Sequence, residues 1–153
     1  GLPRSIADVT TDWLTAALRS SGAIGVDTSV ATTTNKRFAE GVGLLSELYR
    51  ASLTYDGPAE GAPATVIVKF AIADPAQRGL AEALGFYTKE LTFYRELAPE
   101  MPVRVPTAYA AVEDPDSSDF VLVMEDLSGL RTGPICEREA RFYNLGITGL
   151  PVP

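Results

Sequence analysis

Val66-Ile67-Val68-Lys69-Phe70 is a short apolar run that carries a lysine near its end. Its β-branched residues suit a strand. A lysine on such a strand is awkward alone, because a charge taken out of water is costly unless a counter-ion meets it. The question the sequence poses is therefore what Lys69 faces. Upstream lies a glycine-rich turn, Glu40-Gly41-Val42-Gly43, and downstream a long helical pattern that carries Glu90.

Working outward, residues 10–21 read as a helix. Thr10 or Thr11 can cap it, Trp13, Leu14, Ala17 and Leu18 form one apolar stripe, and Gly22 ends it. Residues 29–38 are rich in β-branched residues and read as a strand. From Glu47 the pattern alternates, with Tyr49, Ala51, Leu53 and Tyr55 on one side and Arg50, Ser52 and Thr54 on the other, which predicts a half-buried strand. Asp56-Gly57-Pro58 breaks it. Residues 65–70 form the lysine strand and residues 76–98 the longest helical pattern, closed by Pro99. Weak and strong apolar strands follow at 108–112 and 120–124, joined by a polar turn from Asp114 to Asp119. The expected fold class is α+β, with five antiparallel strands in one sheet, a long helix laid across it, and an N-terminal helix.

On the long helix, Glu82, Lys89 and Glu96 share a polar face. Leu80, Leu84, Tyr87, Leu91 and Tyr94 form one apolar stripe, with Ala83, Phe86, Phe93 and Leu97 beside them. Glu90 falls within that second stripe, four residues after Phe86 and three before Phe93. A carboxylate there pairs economically with Lys69. The competing reading is a boundary glutamate and a lysine that reaches past its apolar surroundings to solvent. Gly41, Gly43 and Ser46 lie between two predicted strands. Glycines let the backbone approach an anion closely, and N–H groups or the Ser46 hydroxyl can meet phosphate oxygens, but a plain hairpin turn explains the same residues. Val121 to Leu127 runs from an apolar strand into Glu125 and Asp126, which also suits a strand end with solvated acids.

Composition narrows the field. With 153 residues the chain has the length of one domain, and 46% hydrophobic with 22% charged residues is ordinary for a globular one. A net charge of −7 argues against nucleic acid or an anionic membrane as the main partner. No apolar run approaches the ~20 residues that span a bilayer, and no signal-peptide core follows Gly1, so the cytoplasm is the default compartment. A single cysteine, Cys136, excludes an internal disulfide framework and a multi-cysteine zinc site. With no histidine, a Ser-His-Asp triad, the common zinc hydrolase sites and a histidine general base are all excluded.

Order and context carry more than any one motif. The stretches Glu40 to Arg50, Thr65 to Phe70, Lys89 to Leu97, Val105-Pro106 and Val123 to Leu127, with Thr11-Asp12-Trp13-Leu14 ahead of them, resemble the N-terminal lobe of the aminoglycoside phosphotransferase and choline kinase-like family of small-molecule kinases. The resemblance covers roughly residues 3–130. It implies a kinase N-lobe-like sheet, ATP as nucleotide, and a small-molecule hydroxyl as acceptor. By the same resemblance Lys69 would bind phosphates, Glu90 would hold Lys69, and Gly41, Gly43 and Ser46 would cover the phosphates. Glu125, Asp126 and Leu127 would face adenine. The family's third phosphate-loop glycine is replaced here by Ser46. The family's His-Gly-Asp base, the asparagine after it and the magnesium-holding aspartate belong to a second lobe that these residues lack, so no catalytic or metal residue is assigned and the chain alone is expected to be inactive.

The expected organisation is a lead-in at 1–28, a nucleotide-binding domain at 29–129 and an atypical tail at 130–153. In that tail Glu139, Phe142, Tyr143, Pro151 and Val152 match Glu90, Phe93, Tyr94, Pro102 and Val103 at one constant offset, so it reads as a diverged partial second copy of 89–104. A true repeat would show its period throughout, and the rest of the chain does not. The expectation is a truncated lobe with a relative's segment grafted after it. A non-catalytic binding or regulatory module on the same scaffold, and one half of a two-chain enzyme, are the alternatives. Sequencing the locus decides the graft: an uninterrupted reading frame, independently amplified and ending at Pro153, removes it.

Overall fold

The computed structural model describes residues 1–38 and 45–129. Five strands form one antiparallel sheet: β1 (Ser29–Phe38), β2 (Ser46–Asp56), β3 (Thr65–Ala71), β4 (Ala108–Glu113) and β5 (Phe120–Glu125), in the order β1-β2-β3-β5-β4. The lysine strand β3 is central, with β2 on one side and β5 on the other. Each strand lies within a residue or so of where the sequence pattern predicts it. The expected tail at 130–153 and its likeness to 89–104 lie outside the described residues.

The central strands β3 and β5 are covered on both faces. Helix α1 (Thr11–Ser20) covers one of them. The Thr10 side chain accepts from the Trp13 N–H at 3.1 Å, satisfying one of the free N–H groups at the helix start. Leu14 and Leu18 then meet Val66, Val68, Phe70, Val121 and Val123 in a continuous apolar cluster. Helix α1 packs on β1 and also on β4, the two outermost strands, which requires the sheet to curve around it. On the opposite face Tyr87 and Leu91 pack with Phe120 and Leu122. Because side chains alternate along a strand, Val66, Val68 and Phe70 serve one cluster while Ile67 and Lys69 turn to the other face.

The long helical pattern is not one helix. It starts as predicted, with Asp74 accepting from the Gln77 N–H at 2.9 Å and Pro75 in the first turn, to give α2 (Pro75–Ala83). Gly85 then adopts φ 64°, a left-handed conformation that ends α2, and α3 (Phe86–Thr92) begins after it. A π-helical turn, Phe93–Leu97, continues α3. The break redirects α2, so only Ala81 of it is buried. Leu80 and Leu84, expected on the core stripe, are 54% and 46% exposed. From the continuation of α3, Arg95 reaches edge strand β4, donating to the Ala111 carbonyl at 2.9 Å and to Glu113 at 2.8 Å.

A second left-handed glycine, Gly57 at φ 90°, follows β2. A Cβ there would fall inside the van der Waals radius of the Asp27 carbonyl oxygen, while at Gly85 it would meet only the Lys89 Cε at 3.8 Å. Both substitutions to alanine incur the left-handed penalty of about 1 kcal/mol, and only Gly57→Ala adds a backbone clash. Chemical denaturation of the two variants is expected to show Gly57→Ala as clearly the more destabilised.

Candidate functional site

Lys69 stands in β3 opposite Leu48 of β2 and Leu122 of β5. Strand alternation aims it at α3, and there Glu90, between the buried Tyr87 and Leu91, projects toward it. The Lys69 Nζ donates to both carboxylate oxygens of Glu90, at 2.6 and 2.7 Å. The two side chains are 17% and 28% exposed. The pair is thus drawn partly out of water, where charge-assisted hydrogen bonds gain strength and hold a single geometry. Of the two readings the sequence leaves open, paired burial is the one found.

The pair lines an open cleft of about 570 Å³, whose wall also includes Leu45, Ser46, Phe93 and Tyr94. This is the size of an ordinary small-molecule site, with an aromatic wall and a few convergent polar groups. The Phe93 and Tyr94 rings meet edge to face, 5.2 Å between centroids. Burial, and then the charge of Glu90, raises the Tyr94 phenol above its usual range, so it stays neutral beside the pair. Ser46 opens β2 at the cleft's edge. Gly41 and Gly43 lie outside the described residues.

The acids after β5 are not simply solvated. Glu125 accepts from Arg104 at 2.5 Å and from the Thr107 N–H at 3.2 Å. Asp126 accepts from the Arg50 Nε at 2.7 Å and the Ser128 N–H at 3.0 Å, and its side chain is only 4% exposed. Register explains why neighbours diverge: Glu125 lies opposite Val66 on the α1 face, and Arg50 lies opposite Ile67 on the cleft face. Leu127 begins a 3₁₀ turn, Leu127–Gly129. Burial alone would raise the Asp126 carboxyl. Hydrogen bonds from Ser128, Arg50 and Thr65 outweigh that and hold it below the ordinary carboxylate range.

Sequence reasoning missed three residues here. Arg50 looked like the polar-side member of an alternating strand, and Arg104 stood in the unassigned stretch between the long helical pattern and the 108–112 strand. Tyr87 looked like one more stripe residue, yet its hydroxyl makes two backbone hydrogen bonds. Among the described residues no group of three or more His, Cys, Asp and Glu side chains could hold a metal ion. No helix among them is long and apolar enough to cross a membrane.

A five-stranded antiparallel sheet that pairs a central-strand lysine with a helix glutamate is the frame of the protein kinase-like small-molecule kinases. The chain belongs to the ecdysteroid kinase-like family, whose model matches residues 40–139, within the aminoglycoside phosphotransferase and choline kinase group of protein kinase-like folds. No curated protein matched the chain. The family is one of kinases, which use ATP and a small-molecule substrate.

The Asp126 cluster sets a pH dependence. A carboxyl whose folded pKa is depressed adds stability above its unfolded value, about 3.9, and loses it as pH falls through the folded value. Asp126→Asn is expected to cost about 2 kcal/mol at neutral pH by removing the buried charge that the Arg50 Nε and the Ser128 N–H bond. It should also flatten the stability loss seen below about pH 4. Urea titrations between pH 2 and 7 measure both.

Proposed function

We propose that residues 29–129 form the nucleotide-binding lobe of a phosphotransferase that moves the γ-phosphate of ATP to a small-molecule hydroxyl. The observation that carries this is the two-oxygen clasp of Glu90 on Lys69, at the wall of a cleft open beside Ser46. Phosphoryl transfer asks the protein chiefly for positioning and charge stabilisation. A carboxylate that fixes an ammonium in place serves that need, because the lysine then meets phosphate oxygens without first having to be ordered. Gly41, Gly43 and Ser46 would close over the phosphates.

Backbone groups of Glu125, Asp126 and Leu127 would face adenine. Both acidic side chains are occupied by Arg104 and Arg50, which supports a backbone role here over a carboxylate one. The donor set suits nucleotide phosphate and does not suit a metal, so the ligands of the magnesium that accompanies ATP in such enzymes belong outside the described residues. With no histidine in the 153 residues, the family's His-Gly-Asp base also belongs elsewhere, on a second lobe in the same or another chain. That same absence is what favours the second reading, a binding or regulatory module that holds nucleotide without turning it over.

Thermal denaturation with and without ATP and magnesium tests the nucleotide reading. At ten times its dissociation constant, ATP stabilises a one-site binder by about 1.4 kcal/mol. Lys69→Ala is expected to remain folded and lose most of that gain. Equal stabilisation of the variant, or none in the parent chain, overturns the reading. Supplying a C-lobe polypeptide and measuring ATP hydrolysis separates a competent half-enzyme from a silent module.

A further inference from the structure

We infer that Tyr87 is a positioning residue whose hydroxyl ties the start of β2 and the end of β3 to the helix that carries Glu90. The hydroxyl donates to the Leu45 carbonyl at 2.7 Å and accepts from the Ile72 N–H at 3.3 Å. Leu45 leads into β2, and Ile72 follows β3. Ser46 and Ala71 form the last register pair between those strands, so Leu45 and Ile72 are the next positions along the ladder. The tyrosine hydroxyl is thus spliced into the sheet at the end of the β2–β3 ladder. Only a group that both donates and accepts can do this, and a hydroxyl is one.

The other end of the residue is held as firmly. Tyr87 is 6% exposed, and its ring lies 4.9 Å from that of Phe120, itself buried. Burial pushes the phenol above its usual range, so the hydroxyl keeps the proton that it donates. Glu90 follows Tyr87 by three residues, one turn on along α3, and both line the cleft with Leu45 and Lys69. A buried hydroxyl bonded on both sides here fixes the distance between the start of β2 and the Lys69–Glu90 pair. The functional meaning rests on the phosphate-binding reading of that pair, but the mechanical link is present without nucleotide.

The test compares Tyr87→Phe with Tyr55→Phe in the full chain. The second removes a hydroxyl bond of like kind, from Tyr55 to the Pro63 carbonyl at 2.6 Å, and serves as a control for general loss of stability. Phenylalanine at 87 keeps the ring packing. In the nucleotide-free protein, Tyr87→Phe is expected to speed Ile72 amide exchange about fivefold and to move the Glu90 carboxyl carbon resonance, while Tyr55→Phe leaves both unchanged. With nucleotide, Tyr87→Phe should weaken ATP about fivefold and adenosine hardly at all. An unmoved Glu90 resonance, or the same movement in Tyr55→Phe, overturns the positioning role whatever ATP does. A moved Glu90 resonance in a parent chain that ATP does not stabilise upholds the link and overturns the nucleotide reading instead.

Discussion

Everything around the site depends on the burial of β3 on both faces. Lys69 of β3 lines the open cleft, and with only 17% of its side chain exposed its charge is drawn far enough from water to call for a carboxylate. The sheet order puts β2 and β5 on either side of β3, and the edges are out of reach. What remains is α3, and the position of Glu90 on it. The ion pair follows from the topology as much as from the two residues. Paired charges are no reliable source of stability, since desolvation offsets most of the attraction. Their value lies in geometry: the same constraint that made a buried lysine expensive fixes where its ammonium points.

Much of this was legible in the chain. The strand positions follow from β-branched and apolar runs and, in β2, from alternation, while the cost of leaving either charge alone set the Lys69–Glu90 pairing against a lysine that reaches solvent. The break at Gly85 was not legible. Helical spacing of apolar residues runs on through 76–98, and periodicity does not register a single left-handed glycine. The consequence was local but real, since Leu80 and Leu84 face solvent and not the core. Arg50 was hidden for a different reason. Its partner Asp126 lies 76 positions away, and only the pairing of β2 with β3 and of β3 with β5 brings their faces into line.

The acids after β5 show how register distributes work between neighbours. Adjacent residues on an extended segment point to opposite faces. Glu125 therefore helps tie down the link before β4, through Arg104 and Thr107, while Asp126 joins the cleft face through Arg50. Two carboxylates that look like one acidic patch in the sequence act as separate anchors, which leaves the backbone between them well fixed.

Arg95 also has a meaning for the molecule in a crowded solution. Strand β4 ends the sheet, and an end strand offers unpaired backbone groups to any other extended chain. The guanidinium held over the Ala111 carbonyl, with Glu113 beside it, means that an intruding strand would have to displace a bound cation before it could pair. The π-helical turn that continues the Glu90 helix thus doubles as a guard against self-association.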